Sequence, residues 1–194
     1  MHATTLDQLK KHLRPGQVYR REDLTQWSSS VDRHLKALTA QGVLKKLRTG
    51  LYYFPRMFEF GEAPADENTL VQAFLRTSHF VVTSPNAYNL LGLGTTQLYN
   101  KRVVYNQKRH GTFNLGGRTY LFQRRMNVPR RLTQEFLLVD LVNELDQLAE
   151  DRDAVLGRVR EKVKHMSHRL LSRAVSLYGN CFAQKQFKEF LAYA

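Results

Sequence analysis

The element order of this chain is clearest in residues 28–51, which read SSSVDRHLKALTAQGVLKKLRTGL. Val31, Leu35 and Leu38 recur at helical spacing and predict the buried stripe of a helix. Apolar or aromatic residues stand on both sides of Thr49-Gly50, at Val43, Leu47, Leu51 and Tyr53, which is typical of two strands joined by a turn. The stretch therefore predicts a helix followed by a β-hairpin.

The residues before this stretch predict two further helices. Apolar side chains at helical spacing indicate a first helix over 4–13, and Arg21–Trp27 favours a short second one, with an extended segment at Val18-Tyr19 between them. Helix, helix, turn, helix and two-stranded wing is the order of a winged helix-turn-helix. We therefore expect this fold at residues 1–57.

The rest of the chain predicts a second domain of mixed type. Residues 56–66 contain local breakers and are interpreted as a linker. After it the patterns alternate between helices and short strands, and a Gly116-Gly117 turn indicates a hairpin. The predicted helices cover about 66–75, 84–91, 133–178 with a break near 149–153, and 184–192; the predicted strands cover 80–82, 103–105 and 119–122. The expected fold class is α+β: an N-terminal winged helix-turn-helix, then an α+β domain at 66–194 with a small sheet and C-terminal helices.

The net charge points to a polyanionic partner. Lys and Arg total 30 against 17 Asp and Glu, which gives +13. Residues 1–60 hold 11 basic and 5 acidic residues, and residues 61–127 hold 8 and 3, whereas 128–194 is near balance with 11 and 9. Such an excess repels itself unless a polyanion is bound, so nucleic acid is the first partner to consider. An anionic membrane and a solvated basic surface are the alternatives.

Sequence patterns of catalysis and metal binding are absent. The single cysteine, Cys181, allows no intrachain disulfide, which fits a reducing cytoplasm. The histidines are scattered, and no nucleophile or phosphate-cradling motif is present. No apolar run is long enough to span a bilayer, and the N-terminus lacks the apolar core of a signal peptide. We expect a cytoplasmic, non-enzymatic protein without metal, cofactor or membrane contact.

The third helix carries the candidate base-reading residues. Ser29, Arg33 and Lys36 fall on the side of the helix opposite its apolar stripe. Arg33 suits a bidentate contact to guanine, and Lys36 suits guanine or phosphate. Ser28, Ser29 and Ser30 suit phosphate contacts at the start of the helix. A plain helix cap for the serines and a solvated face for the cations are the alternatives.

The predicted wing adds further candidate DNA contacts. Lys45 and Lys46 point to opposite faces of their strand. Arg48 and Thr49 stand near the tip, and Arg48 is the best candidate for a minor-groove or phosphate contact. Each such cation makes binding more salt-dependent. Trp27, just before the serines, is interpreted as a core residue closing the helix pair.

A second basic stretch, residues 100–110, follows later. Its candidate residues are Lys101, Arg102, Lys108 and Arg109. This stretch would extend a nucleic-acid surface or meet an acidic partner protein; a strand edge protected by cations is an equal alternative.

Two segments carry a resemblance to a known family. His34–Leu38 and Gly42–Pro55 resemble the N-terminal winged helix of AbiEi-type antitoxins of bacterial type IV toxin–antitoxin systems. Ser84–Gln97 is similar to that family's helix followed by a "GL-T-Q" turn, and Leu171–Asn180 resembles part of its helical tail. The resemblance covers most of the chain.

The resemblance implies a function. It implies an autorepressor that binds inverted repeats in its own promoter, and an antitoxin that counteracts a nucleotidyltransferase-like toxin without necessarily forming a stable complex. Inverted repeats allow two monomers or a homodimer. The alternatives are a winged-helix regulator or a protein-interaction adaptor with no antitoxin role. RNA binding ranks last, because the aromatic residues follow buried patterns.

Overall fold

The computed structural model describes residues 5–93 and 98–192. Packing divides the chain into two compact units. Unit 1 runs to Ser78 and also includes Thr112–Tyr120; unit 2 comprises His79–Gly111 and the chain from Leu121 onward. The expectation of a mixed α+β protein with small sheets and C-terminal helices is confirmed.

Unit 1 begins with helices around a small sheet. Its elements are α1 (Thr5–His12), β1 (Val18–Arg20), α2 (Arg21–Leu24), a 3-10 turn (Thr25–Trp27), α3 (Val31–Ala40), β2 (Lys45–Arg48) and β3 (Leu51–Tyr53). The strands are antiparallel in the order β1-β3-β2. One apolar cluster joins the helices: Leu9, Leu13, Leu24, Val31, Leu35, Leu38 and Leu44.

The segment interpreted as a linker contains a hairpin instead. Strands β4 (Arg56–Phe58) and β5 (Gly61–Ala63) pair antiparallel. Gly61 adopts a φ of +114°, which a residue with a side chain rarely adopts. The apolar side chains at the tip, Met57, Phe58 and Phe60, are exposed.

The next helix, α4 (Glu67–Leu75), also packs in unit 1. Its N-cap is the predicted one, because Asp66 Oδ1 accepts the Thr69 N–H at 2.8 Å. The Arg20 guanidinium of β1 donates to the Ala73 carbonyl at 3.0 Å. Unit 1 thus extends beyond the domain boundary expected at 57–66. The division of the chain into domains at that boundary stays a prediction.

Unit 2 combines strands with a layer of helices. Its elements are β6 (Phe80–Thr83), a 3-10 helix (Pro85–Leu91), β7 (Arg102–Asn106), part of the hairpin β8 (Gly111–Leu115) and β9 (Arg118–Arg124), then α5 (Gln134–Glu144), a 3-10 turn (Leu145–Gln147), α6 (Arg152–Val163), α7 (His168–Tyr178) and α8 (Cys181–Ala192). The sheet order is β6-β7-β9-β8. The helix predicted at 84–91 is a 3-10 helix over Pro85–Leu91, a second break follows Val163, and the last helix begins at Cys181 rather than near 184.

The tip of the hairpin β8–β9 packs within unit 1. The Gly116 N–H donates to the Leu47 carbonyl of β2 at 3.2 Å. Gly116 has a φ of +58°, and a Cβ there would lie 3.2 Å from the Leu47 side chain. The predicted Gly-Gly turn thus also permits a close approach to β2.

None of the helices in the described ranges combines the length and apolar character needed to cross a membrane. Thr4 of the first predicted helix and residues 94–97 of the "GL-T-Q" turn lie outside the described residues.

Candidate nucleic-acid interface

Helix α3 separates its apolar and cationic side chains as its periodicity predicts. Val31, Leu35 and Leu38 are buried, whereas Arg33 and Lys36 are exposed. Within residues 5–93 and 98–192, neither cation has an ion-pair or hydrogen-bond partner. Both charges are therefore available to an external anion.

The turn before α3 is held by a buried polar contact. Ser28 is 6% exposed, and its Oγ lies 2.8 Å from His34 Nδ1. The other ring nitrogen, His34 Nε2, lies 3.4 Å from Thr5 Oγ1 of α1. Ser28, expected on the DNA surface, is therefore a packing residue: its hydroxyl is used inside the unit. The sequence did not predict this role, because no local pattern indicates that Ser28 and His34 are both buried and in contact.

The two remaining serines differ in position. Ser29 is exposed, and Ser30 is half-buried. Ser30 occupies the N-cap of α3, yet its side chain makes no capping hydrogen bond. The first N–H groups of the helix thus lack a side-chain acceptor from the cap, which leaves them suited to an external phosphate oxygen.

An ion pair neutralises the acidic residue on the exposed face of α3. Arg21 donates from Nε and Nη2 to the two carboxylate oxygens of Asp32 at 2.6 and 2.5 Å. The Arg21 hydrogen bond holds the pKa of Asp32 below its usual range. The exposed α3 surface therefore carries a net positive charge. Both residues are exposed, so the pair shapes the local field rather than stability.

The hairpin β2–β3 forms where the sequence predicts two strands, but with an irregular register. Lys45 opposes Tyr53, Lys46 opposes Tyr52, and Arg48 opposes Leu51, with a bulge between Lys46 and Arg48. The turn Thr49-Gly50 uses a φ of +75° at the glycine, and Thr49 is exposed. Lys46 is exposed and has no ion-pair or hydrogen-bond partner among the residues described.

The other two cations of this hairpin have partners within unit 1. Lys45 pairs with Glu62 of β5. The Arg48 guanidinium lies over the rings of Phe74 and Phe113, 5.3 and 5.0 Å from their centroids. Arg48, expected to be the leading contact at the tip, is thus held against two aromatic rings. Lys46 becomes the best placed of the three for an external phosphate.

The second predicted basic stretch lies in unit 2. Lys101 Nζ contacts Gln147 at 3.5 Å, and Arg102 is half-buried at the start of β7. Lys108 and Arg109 are exposed in the turn after β7, where their backbone N–H groups donate to Asn106 Oδ1 at 2.8 and 2.6 Å. The buried Asn106 side chain therefore sets the conformation of this basic turn.

A buried polar cluster in unit 2 was not anticipated from the sequence. Asp140 of α5 is fully buried and accepts hydrogen bonds from the Tyr88 and Tyr105 hydroxyls, both at 2.8 Å. Arg125 donates to Asp140 Oδ1 and to Glu144 Oε1, each at 2.9 Å, and its guanidinium lies 3.7 Å from the Tyr105 ring centroid. The one signal in the sequence was an acidic residue inside the apolar run 136–142.

This cluster predicts a stability loss at alkaline pH. Burial, and next the Asp140 charge, raise the pKa of Tyr88 and of Tyr105. An unfolded tyrosine ionises at about pH 10, so the contribution of these phenols to the free energy of unfolding is fully present below that pH and is lost as the pH rises above it. We expect the free energy of unfolding of Tyr88→Phe, measured with urea at several alkaline pH values, to decrease less steeply with pH than that of the wild type. The matched control is Tyr178→Phe, which removes a unit 2 phenol outside the cluster. A fall as steep in Tyr88→Phe as in the wild type would contradict the linkage.

The described part of the chain contains no group of three or more His, Cys, Asp or Glu side chains able to hold a metal ion.

Comparison with solved structures gives a match of fold. No protein-family model and no curated protein matches the sequence. The chain is similar in structure to the RV2827C protein from Mycobacterium tuberculosis, known from a crystal structure, with 17% identity and a TM-score of 0.54. The match covers 96% of this chain and 74% of that chain. At this identity the likeness concerns the fold alone.

Proposed function

We propose that unit 1 contains a winged helix that binds duplex DNA. Three helices, with a three-stranded antiparallel sheet whose last two strands form a hairpin, support this assignment. In such a fold the third helix enters the major groove and the hairpin contacts the flanking backbone.

One observation carries the proposal: α3 exposes Arg33 and Lys36 without partners among the described residues, while Arg21 neutralises Asp32. Arg33 then reads guanine through its two parallel N–H groups, and Lys36 reaches guanine or phosphate. Ser29 and the uncapped start of α3 meet one phosphate, and Lys46 of the wing meets another.

The biological role follows from the resemblance to AbiEi-type antitoxins. We propose a regulatory protein rather than an enzyme: an autorepressor at promoter inverted repeats. Its antitoxin activity against a nucleotidyltransferase-like toxin belongs to the same proposal. The concentration of charge in the first two thirds of the sequence supports the DNA-binding part.

The test compares two double variants of equal charge. Duplexes enriched from a random pool by the full chain are titrated at several salt concentrations, with random duplexes beside them. We expect tighter binding to the enriched duplexes and a negative slope of log K against log salt, which becomes shallower by about 0.9 for each phosphate that the protein no longer neutralises. Lys36→Ala with Lys46→Ala should reduce this slope.

The control removes two exposed lysines of unit 2, Lys185→Ala with Lys188→Ala. This variant should retain the wild-type slope. An equal reduction of the slope in both double variants, or no preference for any duplex, would contradict the proposal.

A further inference from the structure

A groove in unit 1 lies beside the turn that leads into α3. It has a volume of about 480 Å³ and lies between the end of α1 and the 3-10 turn Thr25–Trp27. Its lining residues are Lys11, His12, Arg14, Gln17, Tyr19 and Trp27. No carboxylate lines it, so its charged side chains have one sign.

The cations of the groove have no internal counter-charge. The Lys11 and Arg14 side chains are exposed and make no ion pair or hydrogen bond within the described ranges. The Arg14 backbone N–H donates to the Tyr19 hydroxyl at 2.7 Å, which fixes the phenol in the groove wall. Like charges gathered in a concave surface concentrate the positive field and attract an anion.

An aromatic stack forms another part of the wall. The His12 and Trp27 rings are 4.8 Å apart and nearly parallel, at 4°. One face of the indole is thus covered by His12, which leaves the groove better suited to a phosphate than to base stacking. Trp27, which the sequence assigns to the core, is half-buried: it packs against the apolar cluster of unit 1 and also lines the groove.

The groove is tied to the α3 surface through the chain itself. Trp27 precedes the exposed Ser29 by two residues, so their Cα atoms lie at most about 7.6 Å apart. The groove is therefore next to the exposed start of α3, the surface on which the proposed duplex sits.

We propose that this groove binds a backbone phosphate of duplex DNA flanking the bases that α3 reads. Arg14 supplies a planar fork of N–H donors and Lys11 a point charge, the two side chains that proteins use for phosphate. The inference rests on the proposed DNA binding and deepens it, because it extends the contact beyond α3 and the wing.

The experiment uses the enriched and random duplexes with Lys11→Ala, Arg14→Ala and Lys10→Ala. The third variant is the matched control: Lys10 belongs to the same last turn of α1 but does not line the groove. We expect Lys11→Ala and Arg14→Ala to reduce the salt slope by about 0.9 each, equally on both kinds of duplex, and Lys10→Ala to leave it unchanged.

The fluorescence of Trp27 gives an independent reading, because it is the only tryptophan in the chain. Its emission should change as duplex is added, with the same midpoint as the binding curve. Free inorganic phosphate and a single-stranded oligonucleotide serve as the other ligands. A change produced by either of these but not by duplex would overturn the inference.

The results distinguish a failure of the groove inference from a failure of the proposed function. If Lys11→Ala and Arg14→Ala behave like Lys10→Ala while the Lys36 and Lys46 variant weakens binding, the groove inference fails and the proposed function stands. If the wild-type chain binds no duplex, the proposed function fails and the groove inference falls with it.

Discussion

Replacing Arg125 by alanine is expected to lower the free energy of unfolding by about 3–5 kcal/mol. The reason is that Asp140 is fully buried and Arg125 is the cation that directly contacts it, at 2.9 Å, with only 19% of its own side chain exposed. Without it, the Asp140 and Glu144 carboxylates remain close together in a poorly solvated site. Urea unfolding at neutral pH measures the loss.

A second substitution tests whether the uncompensated charge is the cause. Asp140→Asn keeps an acceptor oxygen for the Tyr88 and Tyr105 hydroxyls but removes the buried charge. Adding it to Arg125→Ala should recover part of the stability, so that the effects of the two substitutions are not additive. The control is Arg124→Ala, an exposed neighbour on β9, expected to stay within about 0.5 kcal/mol of the wild type. Fully additive effects would indicate that packing, rather than charge, is responsible.

Replacing Arg33 by alanine is expected to weaken binding to an enriched duplex by about 1–3 kcal/mol and to relax the preference at one base position. This corresponds to a roughly 5- to 150-fold loss of affinity. The exposed guanidinium on α3 is free to form two parallel hydrogen bonds with guanine. Titration of the enriched duplex and of single-base variants measures both effects.

Two further variants separate base reading from simple charge. Arg33→Lys keeps the charge but loses the planar fork, so it should lose base preference while retaining most binding to random duplexes. Arg158→Ala removes an exposed arginine of α6 in unit 2 and should leave binding unchanged. An equal loss for Arg33→Ala on enriched and random duplexes would mean that Arg33 contacts phosphate only.

Local patterns predicted α1 to α3 and β1 to β3 of unit 1. The faces of α3 follow from the spacing of Val31, Leu35 and Leu38, because a helix repeats every 3.6 residues. The hairpin at 56–63 was missed for a physical reason. Its apolar side chains, Met57, Phe58 and Phe60, are exposed. Neither strand therefore has the alternation of apolar and polar residues that marks a strand with one buried face.

Contacts between distant parts of the sequence could not be predicted from local patterns. Arg48 lies against Phe74 and Phe113, and nothing near Arg48 in the sequence indicates either ring. The partners of Asp140 likewise come from separate strands and turns. These contacts decide which cations remain free, so the candidate site could be outlined from the sequence but not ranked residue by residue.

Residues 112–120 pack in unit 1 but are synthesised well after its helices. A nascent chain that has emerged only to residue 57 lacks both Phe74 and Phe113, the aromatic rings against which Arg48 rests. It also lacks the Gly116 N–H that bonds to Leu47. Unit 1 therefore acquires its full set of contacts only once translation has passed Tyr120, although its helices are made first.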